Sequence, residues 1–409
     1  MYPYEKLNIL NDPIYGFITI PDTIVFEIIE HPYFQRLRRI SQMGLSYLVY
    51  PGANHTRFHH ALGCMFLMQK AVQVLRFKGV AISDEEEEAL YIAILLHDIG
   101  HGPFSHAMEN SIVKGIAHEE ISVYFMELLN KTFNGRLTLA IKIFKGEYDK
   151  KFLCQLISGQ LDMDRLDYLK RDSFYAGTPE GNINSERLIT MLNVVKNELV
   201  VEEKGVYSLE KFIVARRFMY WQVYLHKTSV VAEHILVNIL KRAKELIASG
   251  KEIYASEPLL FFLENTITKD AFSTSVLKTF SDLDDYDIIS AVKSWKNNND
   301  FVLSTLSEKL LNRDLLKIKI GSKPFSDTLL NKKIEKAKKK FNLTREEAEY
   351  FCFRGEITNQ AYSETRQTIK LLTQKGKAIN FSEVSDQISN KALTNLVTKY
   401  YLCYPKSKD

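Results

Sequence analysis

The chain has few cysteines, four in 409 residues, and they stand far apart at positions 64, 154, 352 and 403. No two of them form a C-x-x-C pair, so the sequence indicates neither a disulfide framework nor a cysteine zinc site. The chain also lacks a basic N-terminal segment followed by an apolar one. Its apolar runs, such as Leu90 to Leu96, fall short of the roughly 20 residues that a membrane span needs. A reducing, cytoplasmic environment without membrane association is the expectation.

An excess of one charge sign is also absent. Lysine and arginine number 54 against 50 aspartates and glutamates, which gives a formal net charge of +4. This balance excludes a strongly polycationic nucleic-acid coat, although it is compatible with a local basic pocket. A nucleic-acid partner is therefore allowed but not indicated. The 45% of hydrophobic and 25% of charged residues are typical of a globular protein with a large core.

Helical patterns dominate the chain. Apolar spacing and cap signals, among them Ser83 with Glu86 three residues later, predict a mainly α fold. One small β-hairpin is expected, with Leu199–Val201 and Val206–Leu209 as strands joined by Glu-Glu-Lys-Gly. A single helical region is predicted to follow over Leu209–Leu240.

The pattern of predicted secondary structure changes after about residue 250, where helical stretches alternate with possible strands. Residues 1–250 are expected to form a helical catalytic core, and residues 251–409 a C-terminal helical or α+β subdomain that makes oligomer contacts. In this second part the segment Lys332–Lys340 carries six lysines. It is interpreted as a solvated helix face, with an anion-binding surface as the alternative.

Histidine usage is uneven, because eight of the ten histidines lie between His31 and His118. The centre of this region is HDIGHGPFSH, in which His97 and Asp98 follow an apolar helix that Gly100 ends. Neutral imidazole and carboxylate are ligands that divalent Zn, Fe, Mn and Ni accept. The chemistry is therefore expected in the first half of the chain.

Two further residues would complete a metal site. His60 lies near the start of a predicted helix, Arg57–Phe77, and Asp164 lies on another, Leu161–Arg171. The sequence separations are wide, so the site would be built between helices rather than on one loop.

These segments also carry a resemblance. The chain resembles the HD-domain phosphohydrolases, and specifically their deoxynucleoside triphosphate triphosphohydrolase branch, at NDPIYG, FQRLRRISQMG, YPGANHTRFHHALG, LLHDIGHGPFSH, HEEIS and LDMDRLDYLKRDSFYAG. The resemblance implies an HD-domain helical core and a nucleoside triphosphate substrate. It implies one divalent transition metal per site (Mn, Fe, Zn or Ni), with Mg as an option on the nucleotide phosphates. It also implies a homo-oligomer, a dimer or a tetramer.

The resemblance implies roles for two groups of residues near the metal. The ligands would be His60, His97, Asp98 and Asp164. The acid–base residues would be His106, Glu109, His101 and His118. If the segment after Pro103 is helical, His106 and Glu109 share a face, where the carboxylate can raise the basicity of the imidazole. A structural role is the alternative for each of His101, His106 and His118. His59 is not expected to be a metal ligand. Asp167 is interpreted as a hydrogen-bond partner of a metal ligand or as a member of an ion pair on the helix face.

The resemblance also implies a substrate-binding set. Its members would be Gln42, Arg57, Arg165, Tyr168, Asp172, Arg216, Tyr220 and Tyr224. Arg57 precedes His60 by three residues, so a helix places both on one side, where the guanidinium can clamp a phosphate. Arg216, Tyr220 and Tyr224 recur every four residues and can present a cation and aromatic rings to the nucleotide. A surface ion pair and a core-facing stripe are the respective alternatives.

Glu30 and Arg38 match positions that read an effector nucleotide between subunits in regulated relatives, although a surface ion pair would also explain them. The leading hypothesis is a metal-dependent enzyme that cleaves a dNTP to deoxynucleoside and triphosphate. The alternatives are a phosphodiesterase or phosphatase of the same superfamily acting on another nucleotide, and a catalytically silent nucleotide-binding protein.

Overall fold

The computed structural model describes residues 8–21, 23–104, 113, 115–359, 368–385 and 396–406, and the structural statements below concern these residues. Helices dominate. The helices in chain order are α1 Thr23–Glu30, α2 Pro32–Gln35, α3 Arg57–Phe77, α4 Asp84–Leu96, α5 His118–Thr132, α6 Thr138–Phe144, α7 Lys151–Ile157, α8 Met163–Ala176, α9 Ser185–Thr190, α10 Val206–Met219, α11 Lys227–Ala248, α12 Glu257–Glu264, α13 Thr274–Ser281, α14 Asp285–Trp295, α15 Phe301–Leu311, α16 Asp327–Phe341 and α17 Arg345–Glu349. The expectation of a mainly α fold is confirmed.

The strands are short and form three small sheets. They are β1 Ile9–Asp12, β2 Gly16–Thr19, β3 Leu192–Val195, β4 Glu198–Glu202, β5 Lys317–Gly321, β6 Phe353–Asn359, β7 Lys370–Leu372, β8 Ala378–Asn380 and β9 Val397–Tyr404. β1 and β2 form an N-terminal antiparallel hairpin, and the other sheets have the strand orders β3-β4-β7-β8 and β5-β9-β6. β4 and β7 run parallel, whereas β5 and β6 both pair antiparallel with β9.

Helix α3 lies at the centre of the molecule and packs against α4 and α8. Nearly every turn of α3 is buried, because its apolar residues surround the whole helix rather than one stripe. Helix α4 starts at the Ser83 capping box, where Glu86 N donates to Ser83 Oγ and the Glu86 carboxylate accepts from Ser83 N. Helices α3 and α8 carry His60 and Asp164, and His97 and Asp98 follow the end of α4.

The predicted hairpin is in part wrong. Leu199–Val201 is a strand, but β4 pairs with the preceding β3 and not with Val206–Leu209, which begins α10. The turn consists of Lys196 and Asn197, whose φ values of 50° and 64° fit the tight turn between right-twisted strands.

The region predicted to be helical over Leu209–Leu240 is helical, but it consists of two helices rather than one. α10 ends in a π-helical turn, Tyr220–Tyr224, and the helical conformation is then interrupted before α11 begins at Lys227. His226 caps the second helix, since its Nδ1 accepts a hydrogen bond from Thr228 N.

The C-terminal region contributes β7 to the sheet that contains β4 of the first half. The division into residues 1–250 and 251–409 stays a prediction. On α16 only Ile334 and Ala337 are buried, as expected for a helix whose lysines are solvated. Among the described residues no helix is long and apolar enough to cross a bilayer.

Candidate functional site

The first turn of α3 presents His60 to the site. Thr56 is the N-cap residue, and its backbone N–H donates to His59 Nδ1 at 3.2 Å. The side chain of His59 is therefore engaged in capping its own helix, which agrees with its expected absence from the ligand set. His60, the next residue, is fully buried and faces α8 and the end of α4.

The segment that follows α4 carries His97 and Asp98. α4 ends at Leu96, and the carbonyl of His97 accepts a hydrogen bond from Ser122 Oγ of α5 at 2.9 Å. Gly100 N donates to the same hydroxyl at 3.0 Å. A Cβ on Gly100 would lie 2.2 Å from the carbonyl oxygen of His118, so only glycine lets this turn approach α5 so closely.

Two imidazoles and two carboxylates meet between these segments and α8. His60 Nε2 lies 3.1 Å from Asp164 Oδ1 and 3.8 Å from Asp98 Oδ2. His97 Nε2 lies 3.4 Å from Asp98 Oδ1 and 3.7 Å from Asp164 Oδ1. Two ligands that each lie about 2.1 Å from one ion are roughly 3.0–3.5 Å apart. The donor spacing therefore suits one divalent ion.

Both imidazoles are oriented by their other nitrogen. His60 Nδ1 lies 2.7 Å from Asp167 Oδ2, and His97 Nδ1 lies 2.6 Å from the carbonyl oxygen of Ile94. Each contact favours a hydrogen on Nδ1 and a lone pair on Nε2, the nitrogen that faces the site. His97 Nε2 is buried and has no hydrogen-bond partner among the described residues. An ion at this position would satisfy it.

The two carboxylates of the site are ionised. Burial alone raises the pKa of Asp98, but the nearby charges of His97 and Arg57 outweigh it and hold the pKa well below its usual range. Burial is likewise outweighed at Asp164, where the hydrogen-bonded His60 ring and the nearby His97 ring lower the pKa. Two anionic oxygen donors and two imidazoles form a donor set that transition metals accept.

Cys64 also lies beside the site, one helical turn after His60. Its Sγ is 3.5 Å from His60 Nδ1 and 3.6 Å from His60 Nε2, so the sulfur contacts the imidazole ring itself. Burial raises the pKa of the Cys64 thiol, whereas a metal-bound cysteine is a thiolate. A bound ion would itself remove the proton of a coordinating thiol. His60, Cys64, His97 and Asp164 each offer a donor atom within 4.8 Å of the others, so Cys64 and Asp98 are both candidates for the fourth ligand position.

Arg57, His101 and His118 lie on the Asp98 side of the site. Arg57 Nη1 donates to Asp98 Oδ2, and His101 Nε2 lies 3.3 Å from Asp98 Oδ1. The rings of His101 and His118 stack with centroids 3.8 Å apart. Burial, together with the Arg57 charge, lowers the pKa of His101 to about 3, so its ring is neutral at neutral pH.

Asp172 is the centre of a second polar cluster on α8. Its Oδ1 lies 2.7 Å from His55 Nε2, and its Oδ2 accepts a 2.6 Å hydrogen bond from the Tyr224 hydroxyl. Gln42 N donates to the carbonyl of His55 at 3.0 Å. The structure thus brings together Gln42, Asp172 and Tyr224, three residues of the predicted substrate-binding set.

Aromatic rings line the space beside this cluster. The ring of Tyr224 makes edge contacts with Tyr168 and with Tyr220, at centroid distances of 6.1 and 5.2 Å. The guanidinium carbon of Arg216 lies 5.8 Å from the centroid of the Tyr220 ring. The predicted stripe is therefore contiguous, and the π turn keeps its members in contact.

Arg165 is anchored at the start of α8. Its Nε donates to the carbonyl of Gly159 at 2.9 Å and to Asp162 Oδ2 at 3.2 Å. Burial lowers the pKa of Arg165, but the Asp162 carboxylate outweighs it and the pKa is raised. This anchoring through Nε leaves the Nη groups as the donors for an anionic ligand.

The predicted roles of two pairs of residues stay predictions. His106 and Glu109 lie outside the described residues, and their acid–base pairing stays a prediction. Glu30 and Arg38 are exposed, and in the described part of the chain no ion pair joins them. Arg38 instead donates to Gln35 Oε1 at 2.8 Å. The effector role of Glu30 and Arg38 stays a prediction.

Sequence reasoning missed His55, which is buried against Asp172 and stacks on Tyr175 at 4.3 Å. Its position in the histidine-rich segment was only a weak indication of a functional role. Nothing local connects it to a carboxylate 117 residues away.

Family models match two adjacent regions of the chain. The HD domain model matches residues 57–171, which contain all four predicted ligands. The model described as the HD associated region matches residues 183–257.

Individual relatives and solved structures agree with these matches. A phosphohydrolase from Bacteroides thetaiotaomicron is 50% identical, with a TM-score of 0.95 over 98% of this chain and 100% of that chain. The uncharacterised protein YwfO of Bacillus subtilis is 31% identical over 99% of this chain and 94% of that protein. The deoxynucleoside triphosphate triphosphohydrolase SAMHD1 of Homo sapiens is 28% identical over 61% of this chain and 47% of that protein. The chain thus spans about half the length of this last relative.

Proposed function

The chain belongs to the HD-domain phosphohydrolases, and from that premise we propose that it is a metal-dependent deoxynucleoside triphosphate triphosphohydrolase. The reaction converts a dNTP and water to a deoxynucleoside and triphosphate. The observation that carries the proposal is the convergence of His60, His97, Asp98 and Asp164 next to a second polar cluster on the same helix, α8. The relatives that bear this activity in their names support the choice of substrate.

The spacing of α8 suits a nucleotide that lies along the helix. Asp164, Tyr168 and Asp172 stand four residues apart, so they lie on one face at intervals of about 6 Å. A substrate with its phosphates at Asp164 would place its sugar at Asp172, where Tyr224 and His55 already hold the carboxylate. In this arrangement Asp172 and Gln42 receive the 3′-hydroxyl, and the Tyr224 ring excludes a 2′-hydroxyl.

The phosphate chain would meet cationic groups at three points. Arg57 lies beside Asp98 and can exchange this contact for a phosphate oxygen, and Arg165 and Arg216 supply further donors to the outer phosphates. A divalent ion held by the four ligands would supply Lewis-acid polarisation and would lower the pKa of a bound water. His101, which is neutral, and the stacked His118 can hydrogen-bond the reacting phosphate.

The reaction needs a proton for the leaving group. Water attacks the α-phosphorus, the bond to the 5′-oxygen breaks, and that oxygen leaves on the deoxynucleoside with a proton. We assign this proton to His106, with Glu109 orienting its ring. The water oxygen then resides in the triphosphate.

We extend the proposal to assembly and regulation. The chain would act as a homo-oligomer, with a catalytic core over residues 1–250 and oligomer contacts from residues 251–409. Glu30 and Arg38 would read a nucleotide effector at a subunit boundary. Activity with a single dNTP that does not respond to added dGTP would contradict the effector role.

Product analysis tests the proposal. The purified protein is incubated with each dNTP and Mn²⁺ in ¹⁸O-labelled water, and the expected products are deoxynucleoside and triphosphate that contains the label. Asp98→Asn should lower the rate at least about 1,000-fold, whereas Asp314→Asn, at an exposed carboxylate paired with Lys309 and Lys406, should not.

Other products would select the alternatives. Release of pyrophosphate or monophosphate would contradict the proposal in favour of another phosphohydrolase of the superfamily. Tight nucleotide binding without turnover would favour a silent nucleotide-binding protein.

A further inference from the structure

A buried series of charged groups leads from the metal site to the N-terminal hairpin. His60 Nδ1 lies 2.7 Å from Asp167 Oδ2. Arg171 donates to both oxygens of Asp167, from Nε at 2.8 Å and from Nη2 at 3.0 Å. Its remaining Nη1 donates to Asp12 Oδ2 at 2.7 Å. His60, Asp167 and Arg171 are fully buried, and Asp12 is nearly so.

The two oxygens of Asp12 have different partners. Oδ1 accepts hydrogen bonds from the backbone N–H groups of Ile14 and Tyr15, both at 2.9 Å, and so closes the turn between β1 and β2. Oδ2 accepts only from Arg171 among the described residues. The hairpin thus holds one carboxylate oxygen in a fixed position against α8.

Gly63 shows that the packing of α3 against α8 accommodates this series. A Cβ on Gly63 would lie 2.0 Å from Asp167 Oδ1 and 2.2 Å from Arg171 Nη2. Any larger residue would therefore displace the ion pair from the position in which it contacts His60.

The charges of the series complement a cation. The site and the series together hold four carboxylates and two guanidiniums, which leaves two negative charges uncancelled among groups that are buried except for the partly exposed Asp164. Buried charge is costly unless it is paired. One divalent ion would balance this group, whose members are Asp12, Asp98, Asp164, Asp167, Arg57 and Arg171.

We propose that Asp12 is a positioning residue for the metal site, acting through Arg171 and Asp167 on the His60 ring. Asp12 fixes the guanidinium, whose two-pronged contact fixes the Asp167 carboxylate. That carboxylate accepts the Nδ1 hydrogen of His60, which keeps the lone pair of Nε2 directed at the ion. The inference rests on the metal site of the proposed function, but not on its substrate or reaction.

Metal affinity tests this role without requiring turnover. Asp12→Asn is nearly isosteric and keeps an oxygen for the two turn amides, but it replaces the acceptor that faces Arg171 with an amide group. Competition with a chelating dye should show a loss of Zn²⁺ and Co²⁺ affinity of about threefold to tenfold for Asp12→Asn. The loss should be about tenfold to 100-fold for Asp167→Asn, which contacts the ligand directly. The visible spectrum of bound Co²⁺ should change in both variants.

Asp300→Asn is the matched control. Asp300 also accepts from a backbone amide and from an arginine. Its Oδ1 accepts from Leu303 N at 2.9 Å and from Arg242 Nε at 3.1 Å, and its Oδ2 accepts from Arg242 Nη2 at 2.6 Å, but these contacts lie on α15 and α11. This variant loses an equivalent ion pair and should keep the wild-type affinity and Co²⁺ spectrum.

The outcomes separate this inference from the proposed function. Unchanged affinity and an unchanged spectrum in Asp12→Asn would overturn the inference even if the enzyme hydrolyses dNTPs. An ion bound as expected in a protein that hydrolyses no dNTP would overturn only the function. If Asp12→Asn does not fold, ¹⁵N-histidine spectra of the wild type decide, because the inference requires the hydrogen of His60 on Nδ1 in the Zn²⁺-loaded protein. A hydrogen on Nε2 would overturn it.

Discussion

Gly63→Ala should destabilise the protein, although alanine is the better helix former. Gly63 lies in the second turn of α3, where helix propensity alone predicts a gain of about 1 kcal/mol for alanine. The new methyl group would lie 2.0 Å from Asp167 Oδ1 and 2.2 Å from Arg171 Nη2, whereas ordinary contacts of a Cβ begin near 3.4 Å. The two local effects therefore have opposite signs.

The size of the net effect follows from what must move. Either α3 and α8 separate by more than about 1 Å, at an overpacking cost of about 1–3 kcal/mol, or the ion pair between Asp167 and Arg171 breaks. Breaking a buried ion pair costs about 3–5 kcal/mol. After the helix-propensity gain is subtracted, the free energy of unfolding should fall by up to about 2 kcal/mol if the helices separate and by about 2–4 kcal/mol if the ion pair breaks.

Urea unfolding followed by circular dichroism measures this change. Gly321→Ala is the control, because an added Cβ there meets its nearest neighbour at 3.5 Å, and its free energy of unfolding should change by less than about 1 kcal/mol. If Gly63→Ala is as stable as the wild type or more stable, the close approach of α3 and α8 described here is wrong.

Three further expectations concern other parts of the molecule. Burial raises the pKa of Glu233 from 4.5 to about 7, so this carboxyl group binds its proton more tightly in the folded than in the unfolded protein. The free energy of unfolding should therefore fall as pH rises from 4.5 to 7. Glu233→Gln should remove about 2–3 kcal/mol of this pH dependence, measured by unfolding titrations at pH 5 and pH 8. Ser83→Ala should cost about 1 kcal/mol of unfolding free energy, since Glu86 N loses its partner in the α4 cap; an unchanged urea midpoint would contradict this. Tyr224→Phe should raise KM for a dNTP about threefold to tenfold, because the hydroxyl no longer holds Asp172; steady-state kinetics with an unchanged KM would argue against the sugar position.

Helices that carry their own start and stop signals could be predicted from the sequence. α3 has the predicted bounds, Arg57–Phe77, and α4 starts at the Ser83 capping box. Because these helices deliver His60 and the segment after Leu96, the relative positions of the metal-site residues could be anticipated before their contacts were known.

The hairpin of β3 and β4 could not be predicted correctly, because the sequence indicated a turn at the wrong place. Gly205 suggested a turn, yet its φ is −88° and its lack of a side chain serves packing, since a Cβ would lie 2.8 Å from Val201 Cγ1. The real turn uses Lys196 and Asn197 at positive φ, a conformation for which lysine gives no compositional signal.

Long-range pairings form the other unpredictable part. His55 with Asp172 and Asp12 with Arg171 are joined only by the way that separate elements pack. The π turn that ends α10 is a further case, because the regular spacing of Arg216, Tyr220 and Tyr224 also fits an uninterrupted helix.

The most direct test of the metal site compares two neighbouring histidines. The metal content of the protein purified without added metal is measured by mass spectrometry for the wild type, His60→Gln and His59→Gln. His60 faces Asp164 and Asp98, whereas His59 caps its own helix. The wild type and His59→Gln should each hold about one transition-metal ion per chain, and His60→Gln should hold almost none. Equal metal content in the two variants, or a wild type that binds no divalent ion, would contradict the site.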